Sequence, residues 1–299
     1  MRKFTSAFFL GIVPLAANGP VSARPHDHSP ASARCSAPLE LEMSGPRPAL
    51  TITIADGRQF PAIFDTGAMN TSVNIDFAER LGLVNEGPLA PPYDKHSTGY
   101  QTSLKGARIG TLELPTRSVP VMPLPLPDKA AVLSPAAFSG QLVRLDLSKG
   151  TLQVCSKQAL SLPAERAFAY TAKPFELPSI PLSIGDQVLQ AHFDTGSPYE
   201  IILPLRFAKS IELIEPLQKA GTVRMHSGER PFYAARIKGR VRAGSITLEN
   251  PKVGFSDLVP WPNVGMGLLR RLVVTIDPEN KRSWIELPFA ESDSRHGAK

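Results

Sequence analysis

The tripeptide Asp-Thr-Gly occurs twice, in Phe64-Asp65-Thr66-Gly67-Ala68 and in Phe193-Asp194-Thr195-Gly196-Ser197, and the residues around the copies repeat in the same order. One such tripeptide would say little, because Asp, Thr and Gly are common in turns. The flanks carry the weight. Upstream, Leu50-Thr51-Ile52-Thr53-Ile54-Ala55-Asp56-Gly57 matches Ile180-Pro181-Leu182-Ser183-Ile184-Gly185-Asp186, each an alternation of apolar and polar residues that ends in a turn. Ala62-Ile63-Phe64 then matches Ala191-His192-Phe193, which puts each triplet at the end of the second strand of a predicted hairpin. Downstream, residues 75–81 align with 205–211 as short amphipathic helix candidates. His96-Ser97-Thr98-Gly99 echoes His226-Ser227-Gly228, and Leu142-Val143-Arg144-Leu145-Asp146 answers Val273-Val274-Thr275-Ile276-Asp277. Two copies of a domain-sized repeat describe two small globular lobes, whereas a solenoid needs several copies of roughly 20 to 50 residues.

Through these residues the chain resembles the aspartic peptidases, in particular the retropepsin-like branch found in bacteria, over most of residues 39 to 290. Asp65-Thr66-Gly67, Asp194-Thr195-Gly196, and Val264-Gly265-Met266-Gly267-Leu268-Leu269 with the following Val273-Val274-Thr275-Ile276-Asp277 carry the likeness. In that family a hydrophobic-hydrophobic-Gly segment crosses under the strand bearing the catalytic Asp. Asn263-Val264-Gly265 stands at that place in the second half, but in the first half Val132-Leu133-Ser134-Pro135 has Ser where Gly is expected. The resemblance implies a mostly β protein of two pseudo-symmetric acid-protease-like β-barrel lobes, residues 39–160 and 161–290, with short helices and a cleft between the lobes. It implies an aspartic endopeptidase in which Asp65 and Asp194 activate one water against a peptide or unfolded protein substrate, with no cofactor and no metal. A monomer is expected, since one chain supplies both halves. The alternative is a non-catalytic peptide-binding module on the same fold, favoured by the Ser134-Pro135 segment and by the difference between Ala68 and Ser197. A structural envelope protein is a third reading.

Hydrolysing an amide without a metal or a covalent intermediate takes a base for water and an acid for the carbonyl oxygen and the leaving nitrogen. Two carboxyl groups held close cannot both ionise cheaply, so they share a proton and supply both roles, as is well known for aspartic peptidases. Gly67 and Gly196 are expected to take positive φ in a tight turn and to let the lobes approach closely. Thr66 and Thr195 are expected to hydrogen-bond the two loops to each other. Ser197 has no counterpart at Ala68, and a hydroxyl beside a carboxylate favours the charged form, so Asp194 is expected to be the more readily ionised partner. Thr98, Gly99 and Tyr100, after His96-Ser97, are the flap candidates, the plainer reading being an exposed hairpin tip.

The 30 prolines and 22 glycines in 299 residues suit a turn-rich β protein. Arg2 and Lys3 before the apolar run from Phe4 to Ala17, with Val21-Ser22-Ala23 after it, read as a signal peptide over residues 1–23. That run is short and broken by Pro14, so stable membrane insertion is not expected, and the protein is placed in a periplasm or outside the cell. In an oxidising compartment Cys35 and Cys155 are expected to pair, the alternative being two free thiols. The formal charge of +6 is spread out. The one alternating run, Arg236, Lys238, Arg240 and Arg242, reads as a solvated face, because nucleic-acid binding calls for clustered basic residues with aromatics. His26-Asp27-His28 lies in the linker 24–38 with no further ligands nearby. The run from Pro120 to Pro127 reads as a rigid connection, and 291–299 as a tail.

Overall fold

Each triplet does end the second strand of a hairpin. A computed structural model describes residues 33–90, 97–115, 118–126, 129–172, 176–225 and 228–288. The proposed signal peptide, His26-Asp27-His28, His96, His226-Ser227, Pro127 and the tail lie outside the described residues. In the first half, strand Ala49–Thr53 turns back into Gln59–Phe64, and in the second half Ser179–Ile184 turns back into Gln187–Asp194. The alternation seen in sequence becomes burial: Leu50, Ile52, Phe60, Ala62 and Phe64 pack into the core, as do Ile180, Leu182, Ile184, Ala191 and Phe193. Burying a Phe contributes about 1.5–3 kcal/mol, so Phe64 and Phe193 anchor the carboxylates that follow them.

Beyond the hairpins, the same order of pairings runs through both halves. The Asp65 strand lies parallel to Ala131–Leu133, which is antiparallel to Ser72–Asn74, which is parallel to Ser118–Met122, which is antiparallel to Tyr100–Ser103. The Asp194 strand lies parallel to Asn263–Gly265, which is antiparallel to Ile201–Pro204, which is parallel to Lys252–Ser256, which is antiparallel to Gly228–Arg236. The result is two curled half-barrel sheets, of eight and nine strands. The extra strand is Gln218–Met225, which makes a long hairpin with Gly228–Arg236. A third sheet of six strands joins the halves where Leu142–Asp146 pairs antiparallel with Val273–Asp277. Cys35 and Cys155 form a disulfide, tying the segment before the first strand to the end of strand Thr151–Cys155.

Two expectations are corrected, and the basic run is solvated as read, with all four of its side chains exposed. Residues 75–80 form an α-helix, with the Asn74 side chain accepting from the Asp76 backbone N–H. The matching Leu205–Lys209 forms only a 3-10 helix, with Pro204 at the capping position and no side-chain acceptor there. The proline run is not a connection throughout, since Ser118–Met122 is a strand. Pro120 is tolerated there because the parallel partner strand begins its pairing one residue later, at Val121. The basic run is shared between elements: Arg240 and Arg242 lie on the exposed face of one strand, with Arg240 paired to Glu249 and Lys238 to Glu212. Among the described residues no helix is long and apolar enough to cross a membrane.

Candidate active site

The two triplets meet. The Thr66 N–H donates to Thr195 Oγ1 at 3.0 Å, and the Thr195 N–H donates to Thr66 Oγ1 at 3.1 Å. Each hydroxyl then donates across to the backbone carbonyl before the opposite Asp, Thr66 to Phe193 at 2.9 Å and Thr195 to Phe64 at 2.6 Å. Both threonines are buried, so all four bonds form away from water. A buried polar group left without its partner costs about 1–3 kcal/mol, which makes the lattice self-enforcing.

The glycines are needed for space. Neither Gly67 nor Gly196 takes the positive φ expected of it. A Cβ on Gly67 would stand 2.7 Å from Asp194 Cγ, and one on Gly196 would stand 2.5 Å from Asp65 Oδ2. Each carboxyl group thus rests against the glycine of the opposite loop, within hydrogen-bonding reach of the other carboxyl. Burial first, then the charge of Asp194, pushes Asp65 up to about 8. Burial also raises Asp194, opposed by the Asn263 side chain, the hydrogen bond from Asp65 and the backbone N–H groups of Gly196 and Ser197. The pair therefore titrates as a unit that gives up its first proton far more readily than its second.

The surroundings differ from the sequence expectation in three ways. Ser197 does not donate to Asp194, for its Oγ is buried and has no hydrogen-bond partner. The side chain that does donate is Asn263, through Nδ2 to Asp194 Oδ2. Ser134 does not displace the crossing strand. Its Oγ donates to the Ala68 carbonyl at 2.7 Å and accepts from the Ala136 N–H. At the matching Gly265 a Cβ would strike Tyr199 O at 2.4 Å and Ser197 Oγ at 2.8 Å. The tightest contacts there are the backbone carbonyls of Tyr199 and Ser197, whereas in the first half the Ala68 carbonyl accepts the Ser134 hydroxyl.

Arg47 was not singled out from the sequence. Its Nε donates to the Gly196 carbonyl, and its charge favours ionisation of Asp65, though less than burial opposes it. Arg270 holds the same segment from the far side through the carbonyls of Met43 and Gly45. With Ile63, Leu126, Lys129 and Glu42, Arg47 lines a cavity of about 160 Å3. Of the flap candidates, Thr98 and Gly99 immediately precede the strand Tyr100–Ser103, which begins with Tyr100. Gly99, at φ 146, packs against the backbone of Val121, and Tyr100 sits beside Glu79 on the helix, its hydroxyl raised by burial and then by that charge. In the long second-half hairpin, Phe232 stacks on Tyr199 with ring centroids 4.6 Å apart. Among the described residues no three His, Cys, Asp or Glu side chains gather to hold a metal ion. No protein-family model and no curated protein matches this chain.

Proposed function

We propose that the protein is an aspartic endopeptidase, with one catalytic carboxyl group from each of two acid-protease-like lobes. What supports this most is the reciprocal threonine lattice, which holds two buried carboxyl groups against each other's glycines. Burying two acids side by side costs stability, and the arrangement has a chemical use only if they share a proton. A water held between them loses a proton to the ionised carboxylate while its oxygen bonds to the peptide carbonyl carbon, and the neutral carboxyl protonates the carbonyl oxygen. The tetrahedral diol then collapses as the C–N bond breaks. The leaving nitrogen takes the proton held by the first carboxyl, and a diol hydroxyl returns one to the second. Atoms and protons balance without any added reactant.

The substrate is a peptide or unfolded protein, the acting species is the monomer, and the signal peptide reading places the mature chain outside the cytoplasm. The test is cleavage of a denatured protein from pH 3 to 8, with the cut sites mapped, by the wild type and by Asp65→Asn and Asp194→Asn. Cleavage that either substitution abolishes is the expected result. Peptide binding by all three proteins with no cleavage at any pH would replace this reading with the peptide-binding module.

A further inference from the structure

The halves differ most at the positions closest to the carboxylates. Residues two apart on a strand share a face, so Ile63 stands beside Asp65 and His192 beside Asp194. On the crossing strands, Val132 is paired with Ile63 and Asn263 with His192. The first pair is apolar and clusters with Leu126, Leu124 and Ala68. The second pair is polar: His192 Nε2 is 3.0 Å from Thr171 Oγ1, and Asn263 Nδ2 donates to Asp194 Oδ2. Among the described residues no such side chain donates to Asp65, and Val132 stands where Asn263 would be.

We propose that Asn263 is the positioning residue that divides the labour of the pair, holding Asp194 as the carboxylate that takes the proton of water and leaving Asp65 with the proton that goes to the carbonyl oxygen. The inference rests on the peptidase reading above. An amide N–H aimed at a carboxylate favours its charged form. The amide can also turn only one way: Asn263 is buried and its Oδ1 has no partner, so the bond to Asp194 alone fixes it. Flipped, it would set a carbonyl oxygen against a carboxylate. The other ionisable groups near the pair do not undo this. Arg47 favours ionisation of Asp65, but its charge is the weakest of the influences acting there. His192 is held neutral above about pH 4 by burial and adds no charge. Glu200, beyond Ser197, pairs with Arg271.

Asn263→Val places in the second half the residue that the first half already has, at similar volume. The expected result is an acid limb of kcat/KM raised by about one to two pH units, as befits a hydrogen bond to a charged group. At pH values below the wild-type acid limb kcat should fall roughly tenfold to a hundredfold, with KM little changed. Moving the donor across in Val132→Asn/Asn263→Val should bring the acid limb back down. Carboxyl titration by NMR of selectively labelled Asp, in the wild type and in Asn263→Val, reads the same effect without requiring cleavage. The expected outcome is a low step assigned to Asp194 that rises in the variant and narrows the gap between the steps. An unchanged low step, or one assigned to Asp65, would overturn the proposal whether or not the protein proves to be a peptidase. Loss of thermal stability with an unchanged pH profile would leave Asn263 a structural residue.

Discussion

Beside Asp65, Ile63 and Val132 form an apolar pair that clusters with Ala68 and Leu126, with the Arg47 charge acting from outside it, whereas beside Asp194 His192 and Asn263 form a polar pair and Ser197 follows in the loop. The strands beneath the two are paired in the same order, apart from the additional second-half strand Gln218–Met225. The residues that agree between the halves are those whose contacts cross to the other half: Thr66 with Thr195, and Gly67 and Gly196 each against the opposite carboxyl. The differing pairs beside the carboxyl groups, Ile63 with Val132 and His192 with Asn263, make their contacts within their own half. A repeat of this kind builds a symmetric clamp and sets an unsymmetric chemical environment inside it. On the peptidase reading proposed above, two carboxyl groups with opposite parts need such a difference.

The largest effects should come from breaking the agreement. Gly196→Ala and Gly67→Ala each drive a methyl group into the opposite carboxyl. Overpacking of this kind costs about 1–3 kcal/mol, and activity should fall by roughly a hundredfold or more, since small misplacements at a reacting centre cost that much. Urea unfolding with single-turnover kinetics checks both. Thr66→Val and Thr195→Val come next, each leaving buried partners unpaired at about 1–3 kcal/mol. The two losses should be nearly equal. The double variant should lose clearly less than the sum, because either substitution alone already opens the lattice.

The difference between the two pairs is sharpened by pH. The folded pKa of Asp65 lies above its ordinary value. Its contribution to stability is therefore fully present below about pH 4 and is lost as pH rises toward 8. Asp65→Asn should be more stable than the wild type at pH 7, with the advantage vanishing below pH 4 in thermal melts. His192 runs the other way, since burial lowers it to about 4. Its contribution is present above about 6.5 and is lost as pH falls through 4, so His192→Ile, which copies Ile63, should flatten the loss of stability over that range. A peptide without this fold, or one with both halves equally solvated, would show neither slope.

The smallest effect concerns the exchanged hydroxyl. Ser134→Gly gives up the bond to the Ala68 carbonyl and the cap of the 3-10 helix Pro135–Phe138, for about 1 kcal/mol. Ala68→Ser alone should crowd Ser134. Ala68→Ser/Ser134→Gly, which rebuilds the second-half pattern, should be more stable than the two single losses added together, as measured by chemical denaturation.

The hairpins, the triplets and the cross-linking threonines were legible because the sequence states them twice, and a repeat turns a weak tripeptide into a position. The short second-half helix was misread because over so few residues amphipathic spacing does not distinguish a 3-10 helix from an α-helix. Ser197 looked like the donor because it is adjacent in sequence, yet its hydroxyl points to no acceptor. The actual donor, Asn263, comes from a strand far along the chain. Its signal was present as a polar residue where the first half has Val132, but only the parallel register shows that it faces the carboxylate. Arg47 left no signal at all, since its acceptor is a backbone carbonyl in the other half.

The most direct test of a single shared catalytic unit compares cleavage of denatured protein by the wild type, Asp65→Asn, Asp194→Asn and the double variant. Groups that act as one machine are grossly non-additive. Each single substitution should drop the rate by about a thousandfold or more, to the level of the double variant, at every pH from 3 to 8. A single variant that keeps pH-dependent cleavage above the double variant, or a wild type that cleaves nothing, would contradict it.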